Sequence, residues 1–164
     1  MKTVTLSRTS RINAGHLWVF SNELTESPKA FEPGTLVELR DKKGAFLGIG
    51  YINPQSLISV RILTREKEEI NEGFFKKRIL AALEYRRRFK SDTNAYRAVY
   101  SESDLLPGLI VDMYAGCASI QISTLGMEQW TDAIIKAVDE TLAPETIVLR
   151  NDSQIRSLEG LAME

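Results

Sequence analysis

The stretch PGTLVELRDKKGAFLGIGYINPQSLISVRILT, residues 33–64, decides the fold, because it reads as three strands separated by two strong turns. In the first strand, Thr35 to Arg40, apolar Leu36 or Val37 alternates with polar neighbours. Asp41-Lys-Lys-Gly44 supplies a turn with glycine at its end. The second strand, Ala45 to Ile52, contains Gly48 and Gly50, which mark a bend or the close approach of another backbone. Asn53-Pro-Gln-Ser56 is the second turn, and Leu57 to Leu63 then places Ile58, Val60 and Ile62 on one face. Strands this short and closely spaced predict a small, curled, barrel-like sheet. Val4 and Leu6 extend it with an N-terminal strand.

Downstream the period changes. Phe75, Ile79, Ala82, Leu83 and Arg86 recur at helical spacing within residues 70–90, with Asn71 as the N-cap. The other face of this helix is basic, carrying Lys76, Lys77, Arg78, Arg86, Arg87, Arg88 and Lys90, so we read residues 70–95 as a basic connector between a barrel at 1–69 and a second unit at 96–164. In that second unit, strands are expected over Tyr96–Glu102, Leu109–Tyr114 and Cys117–Ser123, the last two joined by a tight Ala115-Gly116 turn. An amphipathic helix over 127–142 carries Trp130, Ile134, Ala137, Val138 and Thr141 on one stripe, Pro144 ends it, and Thr146–Arg150 is a further strand. Strand, strand, helix, strand is an α+β layer. The tail from Asn151 holds Ile155, Leu158, Leu161 and Met163 without an element to bury them, so the chain reads as an excerpt whose sheet lacks a fourth strand.

Charge is divided by position. Residues 1–97 hold 18 Lys+Arg and 11 Asp+Glu, whereas residues 98–164 hold 3 and 11, although the whole chain is at −1. Asymmetry of this kind points to a polyanion-binding part joined to a part with another job; the plainer reading is two solvated faces. One cysteine, Cys117, excludes an internal disulfide and a multi-cysteine zinc site, and fits a reducing compartment. No signal peptide or apolar run long enough to cross a bilayer is present. A soluble, cytoplasmic protein is therefore expected.

No residue set supports catalysis by itself. The chain has one His and one Cys, too few for a triad or a clustered metal site. Gly48-Ile49-Gly50 lacks the third glycine of a nucleotide loop and does not open a helix. Glu102, Asp104 and Asp112 could face one another around a metal, but Asp104 is read as capping or turning the backbone before Pro107, and Cys117 as a passive thiol. Binding chemistry is better represented. Arg8, Arg11, His16 and Trp18 gather cationic, imidazole and indole groups in a loop containing Gly15, suited to phosphates and unpaired bases. Trp18 and Phe20 equally fit as a plug in the barrel end, and His16 as a hydrogen-bonded structural residue. Lys42 and Lys43 at a hairpin tip, and Arg86, Arg87 and Arg88 at the helix end, complete the candidate cations; turn lysines and capping of the helix dipole are the plain alternatives.

Assembled, the chain resembles the N-terminal part of the PUA-domain class I S-adenosylmethionine-dependent rRNA large-subunit methyltransferases of the cytosine-5 type. The resemblance lies in Gly15-His-Leu-Trp-Val-Phe20, Pro33-Gly34, Gly44-Ala-Phe-Leu-Gly-Ile-Gly-Tyr-Ile-Asn-Pro54 with Ser56, Val60-Arg-Ile-Leu63, Tyr96-Arg97, Glu102-Ser-Asp-Leu-Leu-Pro-Gly-Leu-Ile-Val-Asp112, Arg150-Asn-Asp152 and Glu159-Gly-Leu161. It implies a small PUA-like β-barrel that binds RNA, a central α+β domain, and a Rossmann-like catalytic domain absent from this chain. The S-adenosylmethionine loop and the catalytic cysteine would follow residue 164, so this chain alone is expected to bind no cofactor and transfer no methyl group. Its partners by the same resemblance are large-subunit ribosomal RNA and the missing methyltransferase domain in cis. A freestanding RNA-binding or adaptor module, and a protein-interaction domain using the acidic half, are the alternatives.

Overall fold

The computed structural model of the chain describes residues 1–89 and 92–163. Two sheets organise it. The first has five strands in the order β1-β3-β4-β5-β2: β1 Lys2–Leu6, β2 Trp18–Val19, β3 Leu36–Asp41, β4 Phe46–Ile52 and β5 Val60–Thr64. All neighbours are antiparallel except β1 and β3. The expected N-terminal strand is thus present, and two-residue β2 is an addition that no periodicity could reveal. Helix α1, Ser10–Asn13, links β1 to β2. Inside the curled sheet Val4, Leu6, Ile12, Val19, Val37, Leu39, Ile52, Val60 and Ile62 form one apolar cluster.

The glycines of β4 do what their positions suggested. A Cβ on Gly50 would lie 2.3 Å from the Arg61 carbonyl oxygen, and one on Gly48 2.6 Å from that of Thr64, so β5 approaches to a distance that only glycine permits. The pairing register shifts at Ile49/Gly50 and at Leu39/Arg40, bending the strand as bulges do. The third strand of the opening stretch begins later than expected, at Val60, and Leu57 lies in the exposed turn before it. All five β5 residues are buried, because the strand is covered on both faces.

The second unit is a four-stranded sheet in the order β6-β7-β8-β9: β6 Ala95–Tyr100, β7 Leu109–Tyr114, β8 Cys117–Ile122 and β9 Thr146–Leu149. The strand expected to run to Glu102 stops at Tyr100, and a 3-10 turn, Ser101–Asp104, follows. Among the described residues this sheet has four strands, so the fourth strand expected to be missing is present, with β9 at one edge. Helix α2 spans Glu72–Arg87, and Asn71 caps it by accepting from Phe74 N at 3.1 Å. Lys90, counted with its basic face, lies outside the described residues. The single helix expected over 127–142 is instead short α3, Leu125–Glu128, then α4, Thr131–Leu142, with Trp130 at the break packed on Phe75 at 5.3 Å between ring centroids.

Helix α2 is more than a connector. Phe74, Phe75, Ile79, Ala82 and Leu83 enter one core with Leu109, Val111, Ile120, Ile134 and Val138, and Ile49, Tyr51 and Leu63 of the first sheet join it. The Tyr51 hydroxyl donates to the Pro107 carbonyl at 2.9 Å and lies 2.8 Å from Thr124 Oγ1, and burial pushes this phenol up from its ordinary value. The two units therefore share a core.

The tail is held by polar residues rather than by its apolar ones. Short α5, Ile155–Leu158, leaves Ile155 and Leu158 exposed but buries Arg156. Arg156 donates to Ile122 O at 2.5 Å and to both Glu128 carboxylate oxygens at 2.9 and 3.0 Å. Glu159 meets Arg61 at 2.9 Å and accepts from Asn53 Nδ2 at 2.8 Å, which ties the tail back to the first sheet.

Candidate functional site

The cluster seen between Arg8 and Trp18 divides over two concavities. Arg8 and Arg11 line one of about 410 Å³ with Phe20, Ser21 and Leu57. Arg11 pairs with Glu23 at 3.4 Å and lays its guanidinium over the Phe20 ring at 4.6 Å, so it is half committed to the barrel, while Arg8 is exposed. His16 and Trp18 line the other, of about 350 Å³, together with Glu102, Ser103 and Leu105 of the second unit. Helix α1, which itself carries Arg11, turns the chain between Arg8 and the His16–Trp18 pair.

The reading of Trp18 as a barrel plug does not hold. Trp18 is 38% exposed, and its indole N–H donates to Glu102 Oε1 at 2.8 Å across the joint between the units. It is thus a wall of the cleft and not a plug. His16 is exposed, and the hydrogen bond in its loop belongs to the backbone: Arg65 Nη2 donates to Ile12 O at 2.7 Å and His16 O at 3.2 Å. Arg65 therefore shapes the loop, a role invisible in sequence because its acceptors are carbonyls about fifty residues away.

At the hairpin tip, Asp41 Oδ1 accepts from Lys43 N and Ala45 N, both at 2.8 Å, and Gly44 has φ +85°. The turn is fixed by backbone bonds, and the Lys42 and Lys43 side chains stand in solvent. On α2 the three arginines differ. Arg86 is engaged by Asp104, while Arg87 and Arg88 are exposed. Further pairs cross between the halves, Lys76 with Glu140 and Lys136 with Glu72, so part of the charge asymmetry is consumed inside the fold. Among the described residues, Arg8, Lys42, Lys43, Arg87 and Arg88 form no ion pair and remain as solvated cations.

The acidic candidates are separated by their partners. Glu102 holds Trp18 and the Ser101 hydroxyl, Asp104 holds Arg86 and Tyr100 N, and Asp112 takes Arg97 with two bonds at 2.8 and 3.0 Å. Among the described residues no group of three or more His, Cys, Asp or Glu is placed to hold a metal ion. Gly48 and Gly50 face the β5 backbone, so they form no phosphate cradle for a nucleotide-type cofactor.

In comparison with known proteins, residues 3–65 match the family described as a PUA-like domain. The similarity to known proteins continues well beyond this segment. The chain is 36% identical over 94% of its length to ribosomal RNA large subunit methyltransferase I of Alteromonas mediterranea, and 34% identical over 94% to that of Photobacterium profundum. It spans about 40% of the length of each. In fold it is similar to SMU.776, crystallised in complex with SAH, with a TM-score of 0.79 at 19% identity, covering 92% of this chain and 40% of that one. The sequence relatives are thus large-subunit rRNA methyltransferases, as the motif resemblance led one to expect, and the PUA-like domain carries the solvated cations at Arg8, Lys42 and Lys43.

Proposed function

We infer that this chain is the RNA-binding and substrate-positioning part of a large-subunit rRNA methyltransferase, with cytosine C5 of 23S rRNA as the methyl acceptor and S-adenosylmethionine as the donor held elsewhere in the parent protein. The observation that carries this reading is one alignment to rRNA large subunit methyltransferase I that runs through both units, over 94% of the chain, with a PUA-like domain at its start. The chain's share is positioning. Arg8, Lys42, Lys43, Arg87 and Arg88 meet backbone phosphates, and Trp18 and His16 meet bases; Arg11 and Arg86, already paired to carboxylates, shape the surface. Holding RNA on a rigid body raises the effective concentration of the target nucleotide at an active site joined to it. A cytoplasmic setting follows from a ribosomal substrate, and no helix among the described residues is long and apolar enough to cross a membrane.

Filter binding of structured 23S rRNA fragments to the 164-residue chain tests this. Retention at ~50 mM salt that falls by orders of magnitude towards ~200 mM supports it. No retention at the lower salt overturns it.

A further inference from the structure

The 3-10 turn Ser101–Asp104 is the part of the second unit that the function above leaves unused. It stands between two concavities that share Ser103 and Leu105 as their common wall: the Trp18 cleft and one of about 430 Å³ lined by Arg78, Ala82, Tyr85, Arg86 and Tyr100. We propose that this turn and its two flanking concavities bind consecutive unpaired nucleotides of RNA, bases stacking on Tyr85 and Tyr100 on one side and on Trp18 on the other. The proposal rests on RNA being the partner, and adds where and in what form it is held.

Four observations support it. Tyr85 and Tyr100 are 57% and 51% exposed, although aromatic rings are ordinarily placed to bury their faces. Each carries a guanidinium, Arg86 at 5.7 Å from the Tyr85 centroid and Arg97 at 4.9 Å from that of Tyr100. Those guanidiniums are fixed in turn by Asp104 and Asp112, so rings and cations are held in place before any ligand arrives. The turn itself is held in an uncommon backbone state. Ser101 and Leu105 have φ of +46° and +59°, and Gly108 N donates to Ser101 Oγ at 2.8 Å to keep the turn closed.

The chemistry selects the occupant. Exposed π faces on either side of the turn, with solvated Arg87 and Arg88 next in sequence to Arg86 at the end of α2, match a ligand that alternates flat rings with phosphates. A duplex hides its base faces in its own stack, so only single-stranded RNA can use both concavities. An acidic peptide would satisfy the cations and leave the rings idle.

The test measures binding of a single strand of about 12 nucleotides, and of the same strand annealed to its complement, over a salt series. The wild-type chain should prefer the single strand. The double variant Tyr85→Ala/Tyr100→Ala should lose roughly tenfold or more in single-strand affinity with the slope of log K against log salt unchanged, since stacking releases no counterions. The double variant Tyr85→Phe/Tyr100→Phe keeps the rings and should bind as wild type, which separates stacking from misfolding. Equal affinity of the alanine variant and wild type, or equal binding of duplex and single strand, overturns the groove while leaving RNA binding intact. Absence of any RNA binding at ~50 mM salt overturns both.

Discussion

Arg86 closes a two-point contact on Asp104, Nη1 to Oδ1 at 2.5 Å and Nη2 to Oδ2 at 2.6 Å, with both side chains largely out of solvent. The contact joins α2 to the turn after β6, and it converts a candidate RNA cation into a structural one. Removing one partner leaves the other charge poorly solvated, so Asp104→Ala should cost about 2–3 kcal/mol, discounted from the fully buried case for partial exposure. Urea unfolding of both single variants and the double variant checks this, with a coupling above ~1 kcal/mol expected. Additive single effects would count against it.

Gly126 lies against the ring of Tyr51, where a Cβ would come within 2.0 Å of Cδ2. Gly126→Ala must therefore push apart the joint between the PUA-like domain and the second unit, at about 1–3 kcal/mol. Tyr51→Phe removes the hydroxyl that bonds Pro107 O and Thr124 Oγ1 and should cost about 1–2 kcal/mol. Thermal melts should show a single transition shifted down in both variants, because the units share a core; two separate transitions would contradict that.

Glu159 is almost fully buried against Arg61 and Asn53. Glu159→Gln keeps the shape and strands the Arg61 charge, so a loss of about 3–5 kcal/mol is expected. Salt should change this loss little, because a buried pair is poorly screened. Protection of residues 151–162 from hydrogen exchange should fall in the variant before that of the sheets does.

These two joints also mark how far the sequence could be read. The Asp41-Lys-Lys-Gly44 hairpin, the Asn71 cap and the Leu109–Ile122 hairpin were legible because each is written in residues that are neighbours in the chain. Trp18 and Glu102 are 84 residues apart, and Asn53 and Glu159 are 106 apart. Nothing local marks such partners, so sequence left Trp18 open between a barrel plug and a base-contacting residue, and read the tail as lacking cover. Periodicity also missed the break at Trp130, since the apolar stripe continues in phase across it. Of the candidate cations, sequence could not say which were already paired to carboxylates, and Arg11 and Arg86 are.

Glu68 accepts from the Thr64 hydroxyl at 2.6 Å and from Lys77 at 3.1 Å, and these bonds hold its carboxyl below the ordinary 4.5. A carboxyl depressed in the folded state contributes stability above its unfolded value, and that contribution is lost as pH falls through the folded value. The chain should therefore become less stable below about pH 4.5, and Glu68→Gln should flatten that part of the profile. Chemical denaturation at a series of pH values measures it. An unchanged acid limb in the variant would show that Glu68 plays no part in it.

The claim that RNA is met by the solvated cations and not by the paired ones is tested most directly by the salt slope of rRNA-fragment binding. Lys42→Ala/Lys43→Ala and Arg87→Ala/Arg88→Ala should each lower the slope of log K against log salt by about 1–2, roughly one unit for each phosphate no longer neutralised. Arg86→Ala, in a variant still folded by circular dichroism, should leave it unchanged. Unchanged slopes in both double variants, or a drop in Arg86→Ala as large as theirs, would contradict that claim.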